Sequence, residues 1–85
     1  MALNDLDQAV EYISRYNPIA ATKIAKKIWD AAQLLSTQPE MGHTGRVYGT
    51  REWAVRGIPY IIVYRVRNDV LEIIRIIHSA MQWPD

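Results

Sequence analysis

Hydrophobic positions recur at two different spacings in the two halves of this chain. In the first half they follow helical spacing in two segments, which the pair Asn17-Pro18 separates. Asparagine is a good N-cap and proline is tolerated at the first helical position, so this pair ends one helix and begins the next. The pattern predicts a helical hairpin with a very short connection. Its apolar positions are Leu3, Leu6, Val10 and Ile13, followed by Ala21, Ile24, Ile28, Ala31 and Leu35.

The second half has the pattern of β-strands. A loop begins at residues 38–42, where proline and glycine interrupt the helical spacing. Beyond about residue 49, segments rich in β-branched and aromatic residues predict three strands, at 52–56, 60–66 and 70–77. The predicted fold class is therefore α+β: an N-terminal helical hairpin packed on a C-terminal antiparallel β-meander, in a single domain over residues 1–85.

The last predicted hairpin allows a prediction of which side chains share a face. A two-residue loop at Asn68-Asp69 places Arg65 opposite Glu72. We predict that two helices cover only one face and that the Arg65–Glu72 face stays open, because an ion pair is costly to bury. The residues predicted on this open face with the ion pair are Ile61, Val63, Ile74, Ile76 and His78. The residues predicted on the covered face are Tyr60, Ile62, Tyr64, Val66, Leu71, Ile73, Arg75 and Ile77.

Composition narrows the classes of function. The chain has 85 residues, no cysteine and two histidines, which excludes disulfides and Cys-ligated zinc and leads us to expect no metal and no cofactor. No apolar run approaches the roughly 20 residues of a membrane span, so we expect a cytoplasmic protein with no membrane partner. Six arginines lie in the second half of the chain. Arginine makes bidentate contacts to acidic groups, so we expect the contact surface in this half. The lysines of the second helix lack interleaved aromatic residues, so direct nucleic-acid binding is not favoured.

Three motifs together resemble the RelE/ParE superfamily of bacterial toxins, most closely its ParE branch. They are Gly-Arg-x-x-Gly-Thr-Arg-Glu at 45–52, Tyr-x-x-x-Tyr-Arg-Val at 60–66 and Ile-Ile-x-x-x-His-x-Ala-x-x-Trp-Pro at 73–84, behind the helical hairpin. The resemblance implies the toxin of a type II toxin–antitoxin module, of the kind linked to plasmid stabilization. Such a toxin would arrest growth by inhibiting DNA gyrase until a cognate antitoxin covers it.

Two departures from the superfamily pattern leave alternatives open. Members usually begin with a strand before the first helix, whereas this chain opens almost directly in helix, so we expect the sheet to lack a strand. A degenerate toxin that only binds antitoxin is then one alternative. The other is a ribosome-dependent mRNA endoribonuclease, although Ile61 stands where such nucleases place a basic residue. That enzyme would use Arg65 as phosphate clamp, Glu72 or Glu52 as base and His78 as acid.

Binding residues follow from the predicted open face and from the resemblance. The residues predicted to bind the antitoxin are Ile61, Val63, Arg65, Arg67, Ile74, Arg75 and Ile76. The resemblance extends target binding to the C-terminal segment, through His78, Met81 and Trp83. Trp83 either folds back onto the core or projects towards a partner, and both remain open. A second copy of the chain is another possible occupant of the open edge and face. Trp29 and Trp53 are expected to be packed.

Overall fold

The computed structural model describes residues 2–84, with side chains from Asp5 to Pro84. Two helices come first, α1 (Ala2–Ser14) and α2 (Pro18–Thr37), and a 3-10 turn follows at Pro39–Met41. The sheet is antiparallel with the order β1-β2-β3-β4. Its strands are β1 (His43–Thr44), β2 (Arg51–Ala54), β3 (Tyr60–Arg67) and β4 (Val70–His78). The predicted α+β fold is confirmed, and the two-residue strand β1 is an addition that the sequence pattern did not predict.

The junction of the helices forms as the sequence predicts. Asn17 is the N-cap of α2, and its side-chain oxygen accepts a hydrogen bond from the backbone N–H of Ala20 at 3.1 Å. Pro18 occupies the first helical position, where its missing N–H leaves no helical hydrogen bond unmade. The second helix then buries Ala21, Ile28 and Leu35, and the last two pack in the core against the sheet. In residues 2–84 no strand precedes α1, and no helix there is long and apolar enough to cross a bilayer.

The β3–β4 hairpin has the predicted loop but an unpredicted irregularity. Asn68 and Asp69 both have positive φ, at 52° and 62°, as a tight two-residue turn requires. Arg65 pairs with Glu72, as predicted. Farther from the turn, Tyr64 pairs with Ile73 but Val63 pairs with Arg75, so Ile74 is the extra residue of a β-bulge.

This bulge reverses the face of every β4 residue that follows it. Ile76 and His78, which were predicted on the open face, pair with Ile62 and Tyr60 on the face that the helices cover. Arg75 and Ile77, predicted on the covered face, lie instead with Val63 and Ile61 on the side away from the helices. The predicted face assignment is therefore wrong for these four β4 residues, because one inserted residue shifts a period of two by one step. For the residues of β3, the predicted faces are confirmed.

The core lies between the helices and the sheet, around the fully buried ring of Tyr64. Its hydroxyl donates a hydrogen bond to the carbonyl of Pro39 and accepts one from the N–H of Gly42 at 2.9 Å. These bonds tie the 3-10 turn after α2 to the centre of the sheet. Trp53 packs against this core, as predicted. The prediction for Trp29 is wrong, since its side chain is 63% exposed on α2.

Polar contacts of Asp5 join the helical hairpin to β4, which is an outer strand of the sheet. The carboxylate of Asp5 in α1 accepts a hydrogen bond from the backbone N–H of Ile76 at 3.1 Å and from Arg75 Nε at 2.8 Å. An outer strand presents backbone N–H groups that have no sheet partner, and here a helix side chain satisfies one of them.

Candidate functional site

Arginine side chains lie on the sheet surface that faces away from the helices, which we call the outer face. Arg65 and Arg67 are on β3, Arg75 is on β4, and Arg46 reaches the same side from the loop before β2. Arg65 and Glu72 form a cross-strand ion pair of 3.4 Å, in which both side chains remain more than one third exposed. Such a pair contributes little to stability but fixes the direction of its charged groups.

In a second arginine–glutamate pair on the outer face, the glutamate is buried. Glu52, on β2 opposite Val63, is only 1% exposed. One carboxylate oxygen accepts a hydrogen bond from the backbone N–H of Arg46 at 2.9 Å, and the other lies 3.3 Å from Arg46 Nε. The carboxylate therefore holds the loop of residues 45–50 against the sheet, since a buried charge needs both a counter-ion and hydrogen bonds.

The C-terminal segment folds back onto this same face. The ring of Trp83 lies against the guanidinium of Arg75, with 5.5 Å between the guanidinium carbon and the ring centroid. Arg46 Nη1 donates a hydrogen bond to the carbonyl oxygen of Trp83 at 3.2 Å. Of the two arrangements left open by the sequence, Trp83 adopts the folded-back one, and it joins the segment after β4 to the 45–50 loop.

These contacts change the predicted apolar patch. Val63 is fully buried although it faces away from the helices, and Ile76 is buried on the helix side. The prediction of an exposed patch is therefore wrong for these two residues, and for Ile76 the cause is the bulge, which turns its side chain towards the helices. Ile61 and Ile74 remain half-buried, and Arg67 is exposed.

The residues predicted for RNA cleavage are not brought together. Arg65 and Glu72 pair on the outer face, whereas His78 lies on the opposite face. Its ring meets the ring of Tyr60 edge to face, with 5.3 Å between the centroids. The other candidate base, Glu52, is enclosed with Arg46. Arg65 and Glu72 therefore lie on the other side of the sheet from His78.

His78 instead contributes to a cleft of about 420 Å³ between α1 and the turn after β4. The cleft is lined by aromatic side chains from three elements, Tyr12, Tyr60 and His78, together with the half-exposed Met81. Burial raises the pKa of the Tyr60 hydroxyl above its ordinary value. Tyr12 was not among the site residues predicted from the sequence, although it lies four residues before Tyr16. The exposed rings of the two tyrosines have centroids 5.5 Å apart.

Metal ligation has no support within residues 2–84. The described side chains contain no cluster of three or more histidine, cysteine, aspartate or glutamate residues that would hold an ion. On the outer face, ion pairs join Arg46 to Glu52 and Arg65 to Glu72.

Known proteins are similar to this chain over nearly its whole length. Residues 1–83 match a family described as the ParE toxin of the type II toxin–antitoxin system parDE. The protein Y4kP of Sinorhizobium fredii is 41% identical over 83 residues, which cover 98% of this chain and 85% of that protein. Toxin RelE2 of Caulobacter vibrioides is 35% identical over 79 residues, which cover 93% and 88% of the two chains.

The fold is also similar to a solved structure, the chromosomal ParDE toxin–antitoxin system from P. aeruginosa. The TM-score is 0.81 at 24% sequence identity, with 91% of this chain and 86% of that chain covered. At this level of identity the match supports the arrangement of helices and strands described above.

Proposed function

Because the chain belongs to the ParE family of toxins from type II toxin–antitoxin systems, we propose that it arrests growth by binding and inhibiting DNA gyrase. In this proposal it acts stoichiometrically in the cytoplasm, and a cognate antitoxin neutralises it by covering its binding surfaces. The family membership supports the toxin role, and the arrangement of the polar side chains supports binding as the mechanism.

The observation that carries this proposal is the separation of Arg65 and Glu72 from His78. The ion pair lies on the outer face and the histidine lies on the helix face, beside Tyr60. Cleavage of an RNA phosphodiester needs a base for the 2′-hydroxyl, an acid for the leaving oxygen and positive charge at the phosphate. The predicted groups for these three roles do not converge, so inhibition by binding is favoured over catalysis.

We assign the target contact to the C-terminal segment and the cleft beside it. Met81 is 53% exposed, and His78 and Met81 line the cleft together with Tyr12. Trp83 belongs to the same segment but lies on the outer face against Arg75. Tyrosine, tryptophan, methionine and arginine are enriched at protein interfaces, which supports a protein target for this part of the molecule.

We assign the antitoxin contact to the accessible part of the outer face. Arg65 and Arg67 offer charge for acidic side chains, and the half-buried Ile61 and Ile74 offer apolar area beside them. Within the predicted set, Val63 and Ile76 support this surface from inside the fold, because both are buried. Arg75 holds Asp5 and Trp83, so it positions the edge of the surface.

Two other functions are distinguished by experiment. The similarity to Toxin RelE2 keeps the ribosome-dependent mRNA endoribonuclease as the second candidate. The third is a chain that binds antitoxin and harms nothing. To separate the third candidate, this chain is induced in cells with and without the product of the neighbouring gene. The third candidate predicts no growth arrest in either case.

The test of the proposal is a gyrase supercoiling assay with the purified chain, next to a translation reaction scored for cut mRNA. We expect loss of supercoiling at stoichiometric amounts, intact mRNA, and restored supercoiling when the antitoxin is added. Met81→Ala is expected to weaken inhibition at least several-fold, whereas Val70→Ala, a change at an equally exposed position near the β3–β4 turn, leaves it unchanged. Cut mRNA with normal supercoiling would overturn the proposal in favour of the nuclease.

A further inference from the structure

The turn that follows β4 is held by the side chain of its own first residue. Residues 78–81 form a β-turn, in which the backbone N–H of Met81 donates a hydrogen bond to the carbonyl oxygen of His78 at 2.9 Å. The backbone N–H of Ala80 donates to Nδ1 of the His78 ring at 3.0 Å. Asparagine and aspartate make the same kind of contact, to the backbone two residues along the chain, in an Asx-turn. His78 therefore closes the turn twice, through its carbonyl and through its ring.

The residues of the turn beyond His78 are exposed. Ser79, Ala80 and Met81 all lie at the surface, so packing contributes little to their conformation. The N–H of Ser79 donates to the carbonyl oxygen of Pro59 at 2.9 Å, which joins the start of the turn to the residue before β3. After Ser79, the two hydrogen bonds to His78 set the path of the backbone to Met81.

The ring of His78 is held in place by the neighbouring strand. His78 pairs with Tyr60 in the ladder between β3 and β4. The two rings meet edge to face, with 5.3 Å between the centroids and an angle of 79° between the planes. Aromatic pairs across two strands stabilise each other in this arrangement. The ring is thus a fixed acceptor on a regular strand for the N–H of an exposed turn.

The hydrogen bond from Ala80 also determines the tautomer of the ring. A ring nitrogen accepts an N–H only when it carries no proton, so Nδ1 is unprotonated and the neutral ring carries its proton on Nε2. Protonation of Nδ1 turns this acceptor into a donor. Two N–H groups then face each other, and the hydrogen bond between Ala80 and the ring is lost.

Titratable and charged groups from three elements line the cleft beside His78. They are Asp5 and Tyr12 on α1, Tyr60 on β3 and Arg75 on β4. Asp5 and Arg75 form an ion pair of 2.8 Å, so their charges offset each other. Tyrosine is neutral over the range in which histidine takes up a proton, about pH 8 to pH 5.

We propose that His78 is a positioning residue for target binding: it accepts the N–H of Ala80 through Nδ1 and so fixes the turn that places Met81 beside the cleft. In this role the histidine acts through Met81 and not as the acid of a cleavage reaction. The part that concerns Met81 rests on the proposed function, which assigns the target contact to this segment. The part that concerns the turn is independent of the target.

The first test is nuclear magnetic resonance of the full chain labelled with ¹⁵N. Correlations from the carbon-bound ring protons identify which ring nitrogen is protonated, and His78→Ala assigns the signals. At about pH 8 we expect the proton on Nε2, together with a coupling across the hydrogen bond between the Ala80 nitrogen and Nδ1. A ring protonated on Nδ1 at this pH, or a missing coupling, would overturn the proposal.

The second test compares three substitutions of His78 by titration calorimetry with purified gyrase. Asparagine retains an acceptor near the position of Nδ1, whereas glutamine places its amide near that of Nε2 and alanine retains neither. We expect His78→Ala and His78→Gln to weaken binding about fivefold, the effect of one ordinary hydrogen bond. His78→Asn is expected to recover most of this loss. Circular dichroism verifies that each variant is folded.

Two results of this comparison would contradict the positioning role. Recovery by glutamine and not by asparagine would show that the Nε2 side of the ring contacts the target directly. Equal affinity of His78→Ala and the unmodified chain would show that the turn does not need the ring.

The third test is the pH profile of the same affinity. The chain has two histidines, and His43 is exposed on β1 outside the cleft lining. H43A is therefore the matched control: we expect it to bind like the unmodified chain at about pH 8 and several-fold more weakly at about pH 6. H43A/H78N has no ring to protonate, so we expect a flat profile. An equal fall in both variants would overturn the proposal, since gyrase itself would then be the cause.

The outcomes separate this inference from the proposed function. If the tautomer and the coupling are as expected but the unmodified chain does not bind gyrase, the turn assignment stands and the gyrase assignment falls. Growth arrest in cells, scored for the same three variants, then decides the role of Met81 without reference to the target. Arrest by His78→Asn with weak arrest by the other two supports it. Equal arrest by all three, or no arrest by the unmodified chain, would overturn it.

Discussion

The two faces of the sheet are closed in different ways. The helix face is covered by apolar side chains of α1 and α2, and the ring of Tyr64 is buried beneath them. On the outer face no helix of residues 2–84 packs, and the half-exposed Arg46 with its buried partner Glu52 and the Trp83 segment lie there instead. Apolar burial stabilises a fold without regard to direction, whereas ion pairs and a folded-back segment are directional and can be rearranged.

The comparison indicates a division of roles within a small domain. A chain of 85 residues has limited core area, so the helix face has to supply most of the stability. The outer face retains exposed charge, at the surface that we propose binds the antitoxin, and the buried Glu52 holds the 45–50 loop in place. Single substitutions on the two faces therefore give effects of different sizes.

The largest effect is expected for Tyr64→Phe. The change keeps the ring but removes the hydroxyl, which leaves the Gly42 N–H and the Pro39 carbonyl without their partner near the core. Unpaired buried groups of this kind cost about 1–3 kcal/mol in the free energy of unfolding. Urea denaturation followed by circular dichroism measures it, with Tyr60→Phe as the control that loses a hydroxyl from a less buried ring. Equal stability of the two variants would contradict the role given to the Tyr64 hydroxyl.

A smaller effect is expected for Arg46→Ala on the outer face. The change leaves the carboxylate of Glu52, 1% exposed, without its counter-ion. Because Arg46 is half-exposed, water compensates part of the loss, and we expect about 1–2 kcal/mol by denaturation. The double variant R46A/E52Q is expected to recover part of this stability, since the buried group is then neutral. No recovery in the double variant would show that the charge of Glu52 is not the cause.

The smallest change in stability is expected for Arg65→Ala. Its pair with Glu72 has the same residue types as Arg46–Glu52, but both side chains are more than one third exposed and the contact is 3.4 Å. Exposed pairs contribute below about 1 kcal/mol, and raised salt screens them. We expect unfolding midpoints within error of the unmodified chain, together with weaker antitoxin binding. A destabilisation as large as that of Arg46→Ala would remove the contrast between the two pairs.

A pH titration sharpens the comparison at the edge of the helix face. Burial raises the pKa of Tyr60 in the folded chain above that of an unfolded tyrosine. The unfolded state therefore loses this proton first, so the contribution of Tyr60 to stability is complete below the ordinary tyrosine pKa near 10 and is lost as the pH rises further. Tyr60→Phe is expected to flatten the alkaline fall in stability. An unchanged alkaline slope would show that the Tyr60 hydroxyl ionises equally well in both states.

The features that the sequence predicted correctly depend on local chemistry. The Asn17-Pro18 junction and the Asn68-Asp69 turn are determined by a few neighbouring residues, and both form as expected. The change of hydrophobic spacing between the two halves likewise determines the order of helices and strands.

The features that the sequence did not predict depend on contacts between distant residues. In β4 the run Ile73-Ile74-Arg75-Ile76-Ile77 is apolar on both sides of the arginine, so a shift of one residue exchanges isoleucines between faces and leaves the pattern nearly unchanged. The position of the bulge was therefore not encoded in the hydrophobic pattern. The burial of Glu52 was missed for a related reason, since it depends on how the 45–50 loop folds over β2.

The contact between Gly42 and Tyr64 also constrains how related sequences can diverge. A Cβ at position 42 would lie 2.7 Å from Cε1 of the Tyr64 ring, which is closer than real Cβ contacts. Any larger residue at 42 is therefore compatible with the fold only if position 64 loses part of its ring. We expect the two positions, 22 residues apart in the chain, to vary together, so that a library randomised at 42 alone yields glycine whereas a library randomised at both yields compensated pairs.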